Sequence, residues 1–242
     1  MDYSEFQHLL LKSMSQNDLP MPEEYQTIQF WRFTEHLMKV NEVTNLTAIR
    51  NINDAIPKHL ADSLFAAEYL PEGARVLDLG CGPGFPSLPL AIMRPDLEIV
   101  ALDSTTKKIG FINETIPLLS LKNMTAVAGR AEDRALMVQL GKFDVVVSRA
   151  VARLHILTEL CLPYVAIGGF LLALKAAKGF EEAAEAEKGI ELLGGGKQKL
   201  FERNLVTLDG SEEPRCLILV PKIKKTPSAY PRPYASIIKK PL

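Results

Sequence analysis

Val76-Leu77-Asp78-Leu79-Gly80-Cys81-Gly82-Pro83-Gly84-Phe85-Pro86 runs from an apolar strand into a glycine-dense turn, and Leu88-Pro89-Leu90-Ala91-Ile92 resumes an apolar pattern behind it. The order is strand, tight loop, helix. Glycines let a backbone approach a ligand closely and adopt positive φ. A helix that starts behind such a loop aims free N–H groups at whatever sits there. The loop therefore reads as a small-molecule cradle.

Spacing narrows the molecule. A dinucleotide fingerprint reads G-x-G-x-x-G. Gly80, Gly82 and Gly84 make G-x-G-x-G instead, and Phe85 stands where the third fingerprint glycine belongs. The G-K-[ST] of a phosphate-binding P-loop is absent. Asp78, two residues before the first glycine, suits a ligand carrying an amino group better than a pyrophosphate. Leu97-Glu98-Ile99-Val100-Ala101-Leu102-Asp103 is a second strand ending in an acid, 23 residues past Gly80. A carboxylate there can accept both ribose hydroxyls of an adenosine. An amino acid joined to an adenosine is S-adenosylmethionine. A plain corner with no ligand is the alternative, and the two acids together weigh against it.

A chain of 242 residues allows one large domain, or one with an appendage. The 47% apolar content suffices for a core, yet no apolar run has the length of a membrane span. The start, Met1-Asp2-Tyr3-Ser4-Glu5, has no signal-peptide character. Cys81, Cys161 and Cys216 are far apart and form no C-x-x-C, so neither a zinc site nor a disulfide framework is expected. The expectations are cytoplasmic residence, no metal, no membrane and a monomer. Net charge is −1, which argues against a strong nucleic-acid binder, but the distribution is uneven. Lys222, Lys224, Lys225, Arg232, Lys239 and Lys240 crowd the last stretch without an acid among them, whereas Glu181 to Glu191 is acidic. Such a tail is either a polyanion contact or a frayed terminus.

Along the chain, residues 1–70 read as a helical extension, with Phe30, Phe33, Leu37 and Val40 forming an apolar stripe. Asn45-Leu46-Thr47-Ala48-Ile49 reads as a loop, and Pro57 as the opening of a further helix that sets His59, Asp62 and Ser63 on one face. Residues 71–223 alternate strand and helix. Strands are expected at 75–79, 98–102, 124–128, 143–148 and 169–174, and helices at 84–94, 105–119, 131–140 and 152–166. That alternation implies an α/β fold with a mostly parallel sheet covered on both faces. After an acidic helix near 179–193, the runs 200–208 and 215–220 read as a C-terminal antiparallel hairpin. Residues 224–242 are the basic tail. A mostly parallel Rossmann-like sheet closed by such a hairpin is the layout of class I S-adenosylmethionine-dependent methyltransferases, which the chain resembles.

Several phrases narrow the resemblance. They are Asn45-Leu46-Thr47-Ala48-Ile49, Lys58-His59 with Asp62-Ser63-Leu64, and Gly82-Pro83-Gly84-Phe85-Pro86. Leu102-Asp103-Ser104 with Lys107-Lys108, Gly129-Arg130-Ala131-Glu132 and Phe143-Asp144-Val145-Val146-Val147-Ser148-Arg149-Ala150-Val151-Ala152 follow. Leu174-Lys175, Tyr230-Pro231-Arg232 and Lys239-Lys240-Pro241-Leu242 complete the series. In this order and spacing they are similar to the bacterial RsmG, or GidB, family of 16S rRNA guanine-N7 methyltransferases, over nearly the whole chain. The chain departs from the family where Cys81 replaces a Ser, Thr or Ala and Ser87 a glycine. Thr105-Thr106 replace Leu-Gly, Ala176 follows Lys175 in place of glycine, and Pro233 to Ile238 lack the usual Gly- and Pro-rich tail.

The resemblance implies S-adenosyl-L-methionine as cofactor and 16S rRNA or the small ribosomal subunit as partner. Asp78 and the loop Gly80, Gly82, Gly84 and Phe85 are expected at the methionine end, Asp103 and Ser104 at the ribose. Ala131 and Glu132 are expected at the adenine, and Arg149, at the tip of the fourth strand, beside the cofactor. Arg153, Lys225, Arg232, Lys239 and Lys240 are the candidate RNA contacts. No catalytic base is expected, because guanine N7 carries a lone pair and no proton. Two other readings stay open: a methyltransferase of small molecules or proteins on the same fold, and a non-catalytic ribosome-binding protein. A nicotinamide dehydrogenase is disfavoured by Phe85.

Overall fold

The computed structural model describes residues 1–149 and 151–242. Two long helices come first. In α1 (Tyr3–Gln16) the Asp2 side chain accepts the Glu5 N–H at 2.9 Å. In α2 (Glu24–Thr44) Glu23 and Gln26 cap one another reciprocally, the Glu23 N–H donating to the Gln26 side chain at 2.8 Å. α2 stops at Asn45, whose φ of +50° is a left-handed conformation that asparagine tolerates. Phe30, Phe33 and Leu37 are buried as the stripe requires, and Val40 is half-buried.

The next helical stretch opens earlier than expected. α3 (Ile52–Ala55) starts behind Asn51, whose side chain accepts the Asp54 N–H at 2.8 Å. Pro57 falls inside a π-helical stretch (Ile56–Ala61) that runs on into α4 (Asp62–Leu64). Proline has no N–H to donate to the preceding turn, and a widened turn accommodates that gap.

The sheet has seven strands: β1 (Arg75–Leu79), β2 (Glu98–Asp103), β3 (Met124–Ala128), β4 (Phe143–Arg149), β5 (Val165–Ala176), β6 (Lys199–Val206) and β7 (Glu212–Pro221). Their order is β3-β2-β1-β4-β5-β7-β6. β1 to β5 run parallel, and the β6–β7 hairpin adds antiparallel to β5. Between them lie α5 (Ser87–Met93), α6 (Thr106–Leu118), α7 (Arg134–Leu140), α8 (Leu154–Cys161) and α9 (Gly179–Leu192). Three of these helices begin later than the sequence pattern suggests, for local reasons. Gly84 has φ +104° and belongs to the loop, so α5 waits for Ser87. Asp133 caps α7 through the Ala135 and Leu136 N–H groups. Arg153 is the extended cap of α8, which ends at Cys161 because β5 already begins at Val165.

Side chains alternate across each strand, and the core divides accordingly. Val76, Ile99 and Val147 join a cluster with Phe6, Phe30 and Phe33 of the first two helices, whereas Leu77, Val100 and Val146 join α8 and α9 on the other face. Phe33 is fully enclosed, its ring centroid 5.4 Å from that of Phe85 and 6.4 Å from that of Phe111. Burying such a ring contributes roughly 1.5–3 kcal/mol. The N-terminal helices thereby press on the glycine loop from behind.

The two ends of the chain are both tied down, the first to the sheet and the last to α8. The Asn17 side chain donates to the Val206 carbonyl at 2.9 Å and accepts the Val206 N–H at 2.8 Å, which fastens α1 to β6. Residues 224–242 fold back across α8. Glu159, wholly buried, accepts the Arg232 N–H at 2.9 Å, Nε at 2.8 Å and Nη2 at 2.5 Å. α10 (Tyr234–Lys239) follows, with Ile237 fully buried. Lys222 is buried too, its amine donating to the Leu193 carbonyl at 2.6 Å.

Candidate cofactor and acceptor cleft

Strand order reverses between β1 and β4, and the crevice at the carboxyl ends of those strands is where open α/β sheets take ligands. The glycine loop forms its floor. The Gly80 and Cys81 N–H groups donate to the Leu102 carbonyl at 2.7 and 3.1 Å, which bends the loop towards β2. Gly80 has φ +76°, and a Cβ there would lie 2.3 Å from the Val151 side chain. Gly82 has φ +57°, and a Cβ there would enter open space. Its N–H donates to Asp103 Oδ2 at 3.0 Å, while Asp103 Oδ1 accepts the Thr105 N–H at 2.8 Å. Each Asp103 oxygen thus holds one backbone donor and retains a lone pair for another.

Asp103 and Ser104 share one open compartment of about 190 Å³ with Ala131, Glu132, Gly80 and Tyr234. Its apolar walls are Leu79, Leu102 and Leu160. The Ala131 carbonyl accepts the Tyr164 hydroxyl at 2.9 Å, and Glu132 pairs with Arg130 at 2.6 Å. Gly80, Asp103 and Ser104 also line an adjoining space with Gly82, Phe85 and Arg149, which Thr47 and Lys108 complete.

Asp78 sits wholly inside. Its Oδ2 accepts the Ser87 N–H at 2.9 Å, holding the start of α5. Its Oδ1 has no partner among the described residues. Burial outweighs the Ser87 hydrogen bonds and the Arg149 charge and pushes the carboxyl up to about 7.

Beyond the loop, His59, Arg149 and Val151 border a wider compartment of about 570 Å³ that also takes in Lys58, Asp62 and Arg215. Asp62 stands between two guanidinium groups, Arg149 Nη1 at 2.9 Å and Arg215 Nε at 2.8 Å. Arg149 further donates to the Lys58 carbonyl at 2.8 Å and lies 5.3 Å from the Phe85 ring centroid. His59 stacks on Phe85 and meets the Thr47 hydroxyl at 2.8 Å. Burial first, and the Arg149 charge second, hold its pKa down to about 3, so the ring is neutral. Ser63, on the same helical stretch, turns away and donates to the His59 carbonyl at 2.5 Å. Lys175 pairs with Glu182 at 2.8 Å and donates to the Ala152 carbonyl, pinning the segment after β4.

The remaining candidates are scattered. Arg153 is exposed and pairs with Glu185 at 2.5 Å. Lys225, Lys239 and Lys240 are exposed on the C-terminal segment, and Arg232 directs its fork at Glu159. Gly80, Gly82, Phe85, Asp103, Ser104, Ala131, Glu132 and Arg149 line the crevice, whereas Asp78 and Gly84 are buried and line neither of its compartments. Sequence reasoning missed Arg215, Lys108, Thr47 and Tyr234. Arg215 is 153 residues from its partner Asp62, a separation that no local pattern reveals.

A family model described as rRNA small subunit methyltransferase G matches residues 26–205. The chain belongs to that family. It is 44% identical to a ribosomal RNA small subunit methyltransferase G of Lachnoclostridium phytofermentans over 222 residues, 90% of each chain. A protein of the same name from Clostridium beijerinckii is 38% identical over 240 residues, covering 98% of this chain and 99% of its own. Among solved structures, an O-methyltransferase of Bacillus cereus in complex with SAH superposes with TM-score 0.56 at 16% identity, covering 90% of this chain and 100% of the other. A precorrin-6y C5,15-methyltransferase of Geobacter metallireducens gives TM-score 0.52 at 17% identity, covering 74% of this chain and 92% of the other. The fold of this RsmG-family chain is accordingly the Rossmann-like class I methyltransferase fold. No helix of the described residues is long and apolar enough to cross a membrane, and no cluster of three or more metal-ligating side chains occurs among them.

Proposed function

We propose that this protein transfers a methyl group from S-adenosylmethionine to N7 of a guanine in 16S rRNA of the small ribosomal subunit, acting in the cytoplasm as a monomer. The observation that carries this reading is the continuity of the cleft. The compartment beside Asp103 shares Gly80 and Ser104 with the space over the loop, and that space shares His59 and Arg149 with the compartment walled by Lys58 and Arg215. A donor in the first and an acceptor base in the second would meet over the glycine loop.

The residues fit the cofactor. Gly82 leaves open the space a side chain would fill. Asp103 keeps acceptor capacity for the ribose diol, with Ser104 beside it. Ala131 and Glu132 would border the adenine, and the loop from Gly80 to Phe85 the methionine end. Asp78 adds an acid from the buried end of β1, and Arg149 sits where the two compartments meet. When bound, the cofactor supplies an electrophilic methyl on a sulfonium. The chain's own task is then to orient and to exclude water. Guanine N7 attacks with its lone pair, so no group need remove a proton. The neutral His59 ring, stacked on Phe85, borders the passage between the compartments and adds no charge beside a cationic donor.

N7 lies on the major-groove edge, which side chains reach poorly within an RNA helix. The target guanine is therefore presented from a loop or displaced from its stack. Lys58, Arg149 and Arg215 border the acceptor side, where Asp62 and Glu213 pair with them, and exposed Lys225, Lys239 and Lys240 add positive charge outward. Arg153, paired with Glu185, and Arg232, paired with Glu159, contribute only the parts of their side chains left uncovered.

Mapping of 7-methylguanosine in 16S rRNA from cells with and without the gene is the deciding experiment. One modified guanine is expected to disappear with the gene and to return when purified protein and S-adenosylmethionine are supplied to the unmodified subunits. An unchanged map would overturn the assignment.

A further inference from the structure

We infer that Tyr234, carried on the C-terminal segment, is the outer wall of the adenosine compartment and stacks on the adenine of the bound cofactor. The inference rests on the proposal that this compartment takes the adenosine half of S-adenosylmethionine. Tyr234 lines the same cavity as Asp103, Ser104, Ala131 and Glu132. Among the described residues lining that cavity it is the one aromatic side chain; the others are aliphatic, small or, in Asp103, Arg130 and Glu132, charged. The ring is 38% exposed, although it sits on a helix whose Ile237 is fully buried. A large ring left partly open at the mouth of an apolar cleft offers a flat surface to a flat ligand. Base–aromatic stacking contributes substantially to binding and is tolerant of which base is presented.

The placement of the ring is firm. Arg232, two residues earlier, gives three donors to the buried Glu159 of α8. The Arg134 guanidinium of α7 donates to the Ala229 carbonyl at 3.2 Å, and Tyr230 packs on the core under α8. The Arg130 guanidinium carbon lies 5.2 Å from the Tyr234 ring centroid and its Nε 2.6 Å from Glu132. The chain Glu132–Arg130–Tyr234 thus joins the strand-β3 side of the cleft to the tail. A ring held before the ligand arrives loses little freedom on binding. The family model ends at residue 205, so this wall lies outside the matched part of the chain.

Calorimetric titration of the full-length protein with S-adenosylhomocysteine tests the assignment. Tyr234→Ala is expected to weaken binding by about tenfold, within the range of base-stacking losses. Tyr234→Phe, which keeps the ring, should bind like the parent. Asp103→Ala serves as the reference for the cleft itself. Loss in Asp103→Ala with none in Tyr234→Ala would overturn the role of Tyr234 and leave the cleft intact. No loss in either would overturn the cleft reading as well. Equal losses in Tyr234→Ala and Tyr234→Phe would assign the effect to the hydroxyl and overturn stacking. Should Tyr234→Ala fail to fold, Tyr234→Trp in a Trp31→Phe background places the sole indole at the wall. Its emission should change on titration with S-adenosylhomocysteine, and constant emission under saturating ligand would overturn the inference.

Discussion

The His59 imidazole lies against the Phe85 ring, centroids 4.2 Å apart and planes 17° from parallel. One residue comes from the helical stretch before the sheet and the other from the glycine loop, so the contact joins the N-terminal region to the cleft floor. It also leaves His59 unable to charge cheaply. Its folded pKa of about 3 lies below the ordinary 6.5, so protons favour the unfolded chain. Its contribution is complete above pH 6.5 and is lost as pH falls from there towards 3. Asp78 has the opposite sign: raised from 3.8 to about 7, it favours the folded chain as pH falls through that interval. The two oppose each other between about pH 6.5 and 4. Urea unfolding across that range should therefore show a shallow pH dependence in the parent. Asp78→Asn should leave a loss of stability as pH falls and His59→Gln should leave a gain, each by up to about 1.4 kcal/mol per pH unit, the limit for one proton. Identical profiles for all three proteins would contradict the burial of both groups.

Asp103→Ala removes a carboxylate that organises the Gly82 and Thr105 N–H groups. Cofactor affinity should fall by roughly 1–3 kcal/mol, as for lost charge-assisted hydrogen bonds. Calorimetry on the folded variant reads this directly, and unchanged affinity would remove Asp103 from the ribose site.

Gly82→Val places a β-branched side chain in the open cleft at φ +57°. Cofactor binding should disappear; the positive φ costs some stability, but a Cβ there meets no protein atom within 4 Å, so far-ultraviolet circular dichroism should still report the parent fold. Normal binding by this variant would move the cradle elsewhere.

Glu159 is wholly buried and all three of its hydrogen bonds come from Arg232. Arg232→Ala should destabilise the protein by about 3 kcal/mol, because a buried carboxylate is left with one backbone donor. Glu159→Gln in the same background should recover part of that loss in denaturant unfolding, by removing the stranded charge.

Lys224, Lys225, Lys239 and Lys240 are exposed on the C-terminal segment. Replacing all four with Gln should weaken binding to small subunits and lower the slope of log affinity against log salt, by up to ~0.7–0.9 for each lost phosphate contact. The melting temperature should not move. An unchanged slope in the variant would place the RNA surface nearer Arg149, Arg153 and Lys58.

β1, β2 and β3 were legible because each is a short apolar run closed by an acid or a glycine, whereas β5 begins at Val165, earlier than its apolar run suggests. The cradle was legible for the same reason, since Asp78, the glycines and Asp103 all lie at strand tips. Helix starts were less so. Asp133 shortens α7 by capping, and Glu182 of α9 accepts the Leu154 N–H at the start of α8; an apolar pattern registers neither. The Asp62–Arg149–Arg215 cluster was half legible: the face shared by His59, Asp62 and Ser63 is local, but Arg215 arrives from β7. The tail was read from its charge, which is visible in sequence, and not from its packing, which is not. Lys222 and Arg232 count as cations in composition, yet one is buried against Leu193 and the other is spent on Glu159.

The mutual hydrogen bonds between Asn17 and Val206 span 189 residues. Bonds that close so long a loop form only after most of the intervening chain has condensed, because their closure entropy must first be offset by other contacts. The first helix and the edge hairpin should therefore dock late and release together. The amide of Val206 becomes a natural reporter of that event, and its hydrogen-exchange rate should track that of α1 rather than that of the central strands. In a folding experiment the cleft could be assembled while this clasp is still open, so ligand binding and full protection of the edge would be acquired as separate kinetic steps.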